Sequence, residues 1–223
     1  VYNEMKGAYS SPDEVLQTAI AQALFPDNTY SKNSGGDPDH IPELTYEHYL
    51  DFYHKYYHPS NSYIYLYGDM DVKERLEWMD RAYLSAYESM EIDSNIPMQK
   101  PFDAMKFVET TFPITDDDPE ENNTYLSYNM VIADVLDPTL YQAFTVLDYV
   151  LVSAPGAPVR QALIDAGIGQ DVYGSYENEM LQPFFSIVAK NANKGDKDRF
   201  VRIIEDTLQN LVENGLNKDA LLA

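Results

Sequence analysis

Few residues in this sequence have the type and spacing to do chemistry, and each has a structural reading beside the chemical one. Glu4 is the first. Placed at about 100° per residue, Val1, Met5, Ala8 and Tyr9 form the apolar arc of a helix, and Glu4 falls on the edge of that arc beside Val1 and Ala8. Its carboxylate is expected to look partly inward and to need a partner there: a cation, a hydrogen-bond donor or a metal. Ordinary salt bridges account for most such Glu residues. His54 and His58, at i and i+4 in His-Lys-Tyr-Tyr-His, have the separation that lets two imidazoles share a metal on one helical face. Lys55, however, stands where the H-E-x-x-H pattern has its Glu, and it would put a cation beside the metal. His58 also sits at a helix terminus next to Pro59, where an imidazole caps carbonyls or complements the dipole. A structural role is the expectation for both. Ser34, Gly35 and Gly36, ahead of Asp37 and Pro38, could bring backbone amides close to a ligand. No Lys-Ser or Lys-Thr follows them, so a phosphate-binding P-loop is excluded and a tight turn is the plain reading. With His only at positions 40, 48, 54 and 58, no Ser-His-Asp arrangement can be argued.

These residues need elements to hold them. The helix carrying Glu4 is interrupted by Ser10-Ser11-Pro12, which caps a second helix bearing Val15, Leu16, Ala19, Ile20 and Ala23. Residues 25–42 hold Pro26, Gly35, Gly36, Pro38 and Pro42 and form the longest irregular segment of the first half. Thr45 is the expected N-cap of a helix through Tyr57 with Tyr46, Leu50, Tyr53 and Tyr57 on one face. Residues 62–67 read as a buried strand, and 72–87 as a helix. Periodicity is lost over 89–102, where a domain linker is expected.

The second half opens with two strands, the better one alternating Leu126, Tyr128, Met130 and Ile132, with the acidic run 116–121 as a solvated turn between them. A helix with Leu140, Phe144, Leu147 and Leu151 follows, then one over 159–166 ended by Gly167. Two more strands come next, the last alternating Phe185, Ile187 and Ala189 against polar partners. A final helix presents Phe200, Ile204, Leu208 and Leu211 before Gly215. The order β-β-α-α-β-β-α predicts an α+β fold with largely antiparallel sheets and helices packed on one face. The first half ends in the same strand-then-helix manner, which suggests a repeated unit.

Composition bounds the chemistry further. A chain of 223 residues has room for two modest cores, and 19 Tyr with 9 Phe supply large side chains to fill them. Its 15 basic and 37 acidic residues leave a net charge of -22, which repels phosphate backbones and anionic membranes and attracts cations. Nucleic acid and membrane are therefore not expected as partners; a basic peptide could be drawn to such a surface, within the short reach that salt screening leaves, and plain solubility is the larger expectation. Without Cys there is no thiolate nucleophile, disulfide or Cys-based metal cluster. No run of about 18 apolar residues occurs. The chain opens on Val1 inside a helical pattern and closes on Leu221-Leu222-Ala223 in another, so both ends look cut.

Several strings resemble the presequence-protease branch of the pitrilysin and insulinase family, inverted zincins that include falcilysin. They are Val1-Tyr2-Asn3-Glu4-Met5-Lys6-Gly7-Ala8, Asn28-Thr29-Tyr30-Ser31 with Ser34-Gly35-Gly36-Asp37-Pro38, Ile41-Pro42-Glu43-Leu44-Thr45, and Tyr57-His58-Pro59-Ser60-Asn61, ending at Tyr67-Gly68. Ser153-Ala154-Pro155-Gly156-Ala157-Pro158-Val159-Arg160, Ala166-Gly167-Ile168-Gly169 and Leu181-Gln182-Pro183 continue the likeness in the second half. The resemblance implies a zinc metalloendopeptidase that binds zinc through two His of an H-x-x-E-H motif, whose Glu is the general base, and a downstream Glu. By match to Asn-Glu-Met-Lys-Gly, that Glu is Glu4.

No H-x-x-E-H occurs in the chain, so the resemblance implies a fragment that is inactive alone and part of a larger parent. Residues 1–88 would finish the zinc-bearing domain, with 89–102 as the linker. Residues 103–223 would open a second, metal-free homologous domain, truncated at its end. The family encloses short unstructured peptides in a chamber between two halves and works in the bacterial cytoplasm or an organelle matrix. On that likeness the Ser34-Gly35-Gly36 loop is expected on the substrate side. A non-catalytic scaffold subunit of the same superfamily and an acidic peptide-binding module are the alternatives.

Overall fold

The structure, a computed structural model, describes residues 1–216, so the expected helical close at 221–223 lies outside the described residues. Strands β1 (Thr124–Val131), β2 (Asp171–Glu177) and β3 (Phe184–Ala192) form one antiparallel sheet in the order β1-β3-β2. In this register Leu126 opposes Ala189, Tyr128 opposes Ile187 and Met130 opposes Phe185, while Val172 and Tyr176 of β2 meet Ala189 and Phe185. Side chains alternate between faces with period two, so all of these share one face. Helices α5 (Pro138–Asp148), α6 (Pro158–Asp165) and α7 (Lys197–Asn214) cover it, and Val159, Leu163, Phe200 and Ile204 are buried against it. The fold is α+β, as the element order predicts.

Local chemistry sets the helix ends. The Asp137 carboxylate accepts from the N–H groups of Thr139 and Leu140 at 2.9 and 3.0 Å, satisfying two orphan donors ahead of Pro138. Gly167 and Gly215, at φ of 70° and 82°, supply the left-handed residue that stops α6 and α7. After α5 the backbone widens into a π-helical turn, Tyr149–Ser153, which the sequence does not announce and which buries Val150, Leu151 and Val152.

The opposite face of β3 is not polar, as the alternation had suggested, because residues 184–189 are all buried. Its cover is α2 (Pro12–Leu24). Phe184 packs with Ile20, Leu24 and Phe25, and the Phe25 and Phe184 rings lie edge-on at 6.0 Å. At the other end of α2, Asp13 pairs with Lys190 at 2.5 Å, and the Lys190 ammonium also lies over the rings of Tyr125 (5.6 Å) and Tyr173 (5.2 Å). From Asp13 to Phe25 a helix rises about 18 Å, and from Lys190 to Phe184 a strand spans about 20 Å. Helix and strand therefore have opposite chain directions and are tied at both ends, with Val131 of β1 also packed on the apolar tie.

A buried amide pair fastens the residues just after α2. Gln99 N–H donates to Gln182 Oε1 at 2.5 Å, Gln182 Nε2 donates to Gln99 O at 3.1 Å, and Gln99 Nε2 donates to Asp27 Oδ2 at 2.7 Å. The expected linker is thus irregular, but it contains a buried, fully used side chain.

By packing, the described residues divide into two units, with one boundary between 97 and 98, inside the expected linker, and another between 35 and 36. One comprises Val1, 3–35 and 98 onward; the other comprises Tyr2 and 36–97. The second unit carries α3 (Tyr46–Tyr56), α4 (Val72–Ala82) and short 3-10 turns, and none of residues 36–97 is buried. Thr45 caps α3 as expected, accepting from His48 N–H at 3.2 Å. Three sequence expectations fail. Residues 62–67 form no strand and are exposed, because a strand must pass its N–H and C=O groups to a partner and none is present among residues 36–97. The helix expected over 72–87 stops at Ala82, with a 3-10 turn, Leu84–Ala86, beyond it. The first of the two strands expected to open the second half, the one ahead of β1, is likewise irregular chain.

Phe25→Ala should cost about 3–5 kcal/mol, the range for emptying a buried aromatic site, read as a lowered urea midpoint with unchanged m-value. Asp148 offers a pH test. Burial raises its pKa, and Ser153 Oγ, donating to Oδ2 at 3.2 Å, offsets part of the rise. Oδ1 has no hydrogen-bond partner among the described residues and lies against Gly174, where a Cβ would overlap it. Folded Asp148 keeps its proton to a higher pH than the unfolded chain does. Stability is therefore lost as pH rises from about 4 through the folded value. Asp148→Asn should raise Tm at pH 7 more than at pH 4; an equal change at both would refute this account.

Candidate metal-ligand helix and its support

Helix α1 (Tyr2–Ala8) carries Glu4 in its first turn, where a carboxylate complements the helix dipole. Met5 is its one buried residue, whereas Glu4 is exposed and Val1 is 79% exposed. The predicted inward tilt of Glu4 is therefore not realised, because Val1 beside it is exposed and Ala8 and Tyr9 are only half-buried. An exposed carboxylate bears no desolvation cost and needs no neutralising partner. Glu4 makes no ion pair among the described residues.

The glycines at 35 and 36 have separate reasons. A Cβ on Gly35 would overlap Met5 Sδ and lie 2.9 Å from Met5 Cε. Its N–H donates to Asn33 Oδ1 at 3.0 Å, and Asn33 Nδ2 donates in turn to Glu14 Oε1 of α2 at 3.2 Å. The Gly35 amide is thus used internally and not offered to a ligand. Gly36 has φ 89° and sits 3.1 Å, by a built Cβ, from Ile41 Cγ1. Ser34 remains exposed. Tyr9 N–H to Met5 O at 2.9 Å and Ser10 Oγ to Gly7 O at 2.6 Å close the end of α1, three residues ahead of α2. Neither Asn33 nor Glu14 carries any pattern that would have marked it beforehand.

The two His of His-Lys-Tyr-Tyr-His do not share a helical face. Helix α3 ends at Tyr56, and His58 lies beyond it with extended backbone (φ -128°, ψ 146°). Its Nδ1 accepts from Ser60 N–H at 3.2 Å and its ring meets Tyr87 edge-on at 5.2 Å. His54 lies edge-on to Tyr53. His40 is a pair the sequence reading passed over: its Nδ1 is 3.0 Å from Glu43 Oε2, and that hydrogen bond and charge raise its pKa.

Among the described residues no group of three His, Cys, Asp or Glu is arranged to hold a metal ion. Glu4 offers one free oxygen donor of the kind zinc accepts, which fits one position of a four-ligand site. No described helix is long and apolar enough to cross a membrane.

The small antiparallel sheet with helices packed against it is similar in fold to solved M16-type structures. The crystal structure described as the peptidase M16 inactive domain from Pseudomonas fluorescens matches 98% of this chain and 52% of its own, with TM-score 0.67 at 17% identity. The chain belongs to the family described as the peptidase M16 inactive domain, whose model matches residues 43–223. Glu4 and the 33–35 turn lie ahead of that span. Protein HypA of Clostridium perfringens is 47% identical over the whole chain, and presequence protease 1, chloroplastic/mitochondrial, of Arabidopsis thaliana is 37% identical. The chain spans 23% and 21% of these two relatives, about a fifth to a quarter of their length.

Zinc titration of this chain should give the same isotherm with His54 and His58 both replaced by Ala. A lower stoichiometry in the double variant would restore the pair as ligands.

Proposed function

We propose that this chain is part of a zinc metalloendopeptidase that degrades short unstructured peptides in an enclosed chamber, and that it contributes Glu4 as a zinc ligand. The observation that carries the reading is Glu4 itself: an exposed, unpaired carboxylate on α1 within the Asn-Glu-Met-Lys-Gly string. Identity to a protein named as a presequence protease supports it. Two His of an H-x-x-E-H motif outside these residues would complete the protein ligands. When bound, zinc supplies Lewis-acid polarisation of the peptide carbonyl and of the attacking water. The chain's own part is to hold one ligand and to wall the chamber. Its net charge of -22 favours basic peptides over acidic ones, within the reach that salt screening allows.

In this reading residues 1–88 complete the zinc-bearing domain, 89–102 link, and 103–223 open a second, metal-free domain of similar fold. The description of the matched family as inactive supports a metal-free second domain. Helix α2 is then the piece of the first domain that packs on the sheet of the second. Such an enzyme would work in an organelle matrix or, in a bacterial host, in the cytoplasm; the name of the chloroplastic/mitochondrial relative supports the first. The same family description favours one other reading, a non-catalytic scaffold. An intact H-x-x-E-H in the rest of the polypeptide separates the two.

The test is zinc content and peptide cleavage of the longer protein that carries these residues, with and without Glu4→Gln. We expect about one zinc per chain, and loss of both metal and cleavage in the variant. A variant that keeps both would demote Glu4 to a helix-surface carboxylate and favour the scaffold.

A further inference from the structure

Helix α1 has little of its own to hold it in place. It is seven residues long, Val1 makes no side-chain cap, and only Met5 is buried. Isolated helices this short are marginal in water. Its direction must come from what it touches, and the contacts form one chain. Lys190 of β3 holds Asp13 of α2; the neighbouring Glu14 accepts from Asn33; Asn33 accepts from the Gly35 N–H; and Gly35 presses on Met5, next to Glu4. Every link lies within the unit that contains the sheet.

We propose that Glu14, Asn33, Gly35 and Met5 form a brace that sets the direction of the Glu4 carboxylate, acting as positioning residues for a zinc ligand. The inference rests on Glu4 being that ligand. Gly35 seats Met5. A Cβ on Gly35 would stand 2.9 Å from Met5 Cε and overlap Sδ, against an ordinary carbon–carbon separation of about 3.5–4.0 Å. Both atoms are the far end of a flexible side chain, so the thioether must swing aside, and α1 then loses the seat of its one buried residue. Asn33 sets the turn from the other side, since its amide spans from α2 to the Gly35 N–H.

Zinc affinity of the longer protein, measured by competition with a chelator, reads the brace without relying on cleavage. Gly35→Ala and Asn33→Asp, the second placing a carboxylate against Glu14, should each weaken zinc on the order of 10-fold, the scale for residues that orient a ligand. In a Glu4→Gln background the same changes should have no further effect, because they act through Glu4. If Glu4→Gln weakens zinc and neither brace variant does, the brace is wrong and the ligand assignment stands. If Glu4→Gln leaves zinc affinity unchanged, the ligand assignment falls and the brace with it. An equal loss with and without Glu4 marks a general structural defect and also overturns the brace. Should Gly35→Ala fail to fold, Asn33→Asp is read on the same scale.

Discussion

The sheet-bearing unit depends on β3 being covered on both faces. A central strand buried on one side only could leave polar residues on the other, but residues 184–189 have no solvent-facing side. Helices α5, α6 and α7 meet Phe185, Ile187 and Ala189, while α2 meets Phe184 and Lys190. The two attachments of α2 differ in kind. Phe25 and Leu24 hold by apolar burial, which is non-directional. Asp13 and Lys190 hold by charge, with Tyr125 and Tyr173 flanking the ammonium, and so fix the position of the helix along the strand.

What was legible in the sequence follows from this arrangement. Leu126, Tyr128, Met130 and Ile132 alternate because a helix layer from nearby chain covers them, and nearby patterns are readable. Phe184 and Val188 are themselves apolar, so the run 184–189 signals burial on both faces, against the alternation expected from Phe185, Ile187 and Ala189; only the identity of the second cover, more than 150 residues earlier, is hidden. Nothing local in β3 announces α2. Residues 62–67 have strand composition, and composition was read correctly, yet a ladder needs a second strand. The π-helical turn at Tyr149–Ser153 carries no breaker residue, so the helix was expected to run on through Leu151.

The candidate site divides in the same way. Glu4 could be found as part of a string and from its place on a helix, but its surroundings could not. The expected inward tilt needs Val1 and Ala8 covered, whereas Val1 is exposed and Ala8 only half-buried. Gly35 and Gly36 were visible as a turn, while the need for glycine at 35 comes from Met5, thirty residues away. Contacts of that separation leave no trace in spacing.

The exposed Tyr63, Ile64, Tyr65, Leu66 and Tyr67, together with the stacked Tyr49 and Tyr53 of α3 and Tyr57 just beyond it, have a consequence for the chain as a solute. An extended, apolar stretch with free backbone groups is a template on which a second copy can add. The net charge of -22 works against this by keeping copies apart. Colloidal behaviour is then a contest between a short-range sticky segment and a long-range repulsion. Added salt weakens only the repulsion, whose reach falls to about 8 Å at physiological ionic strength. This chain therefore keeps best in dilute, low-salt buffer, unlike proteins that salt protects.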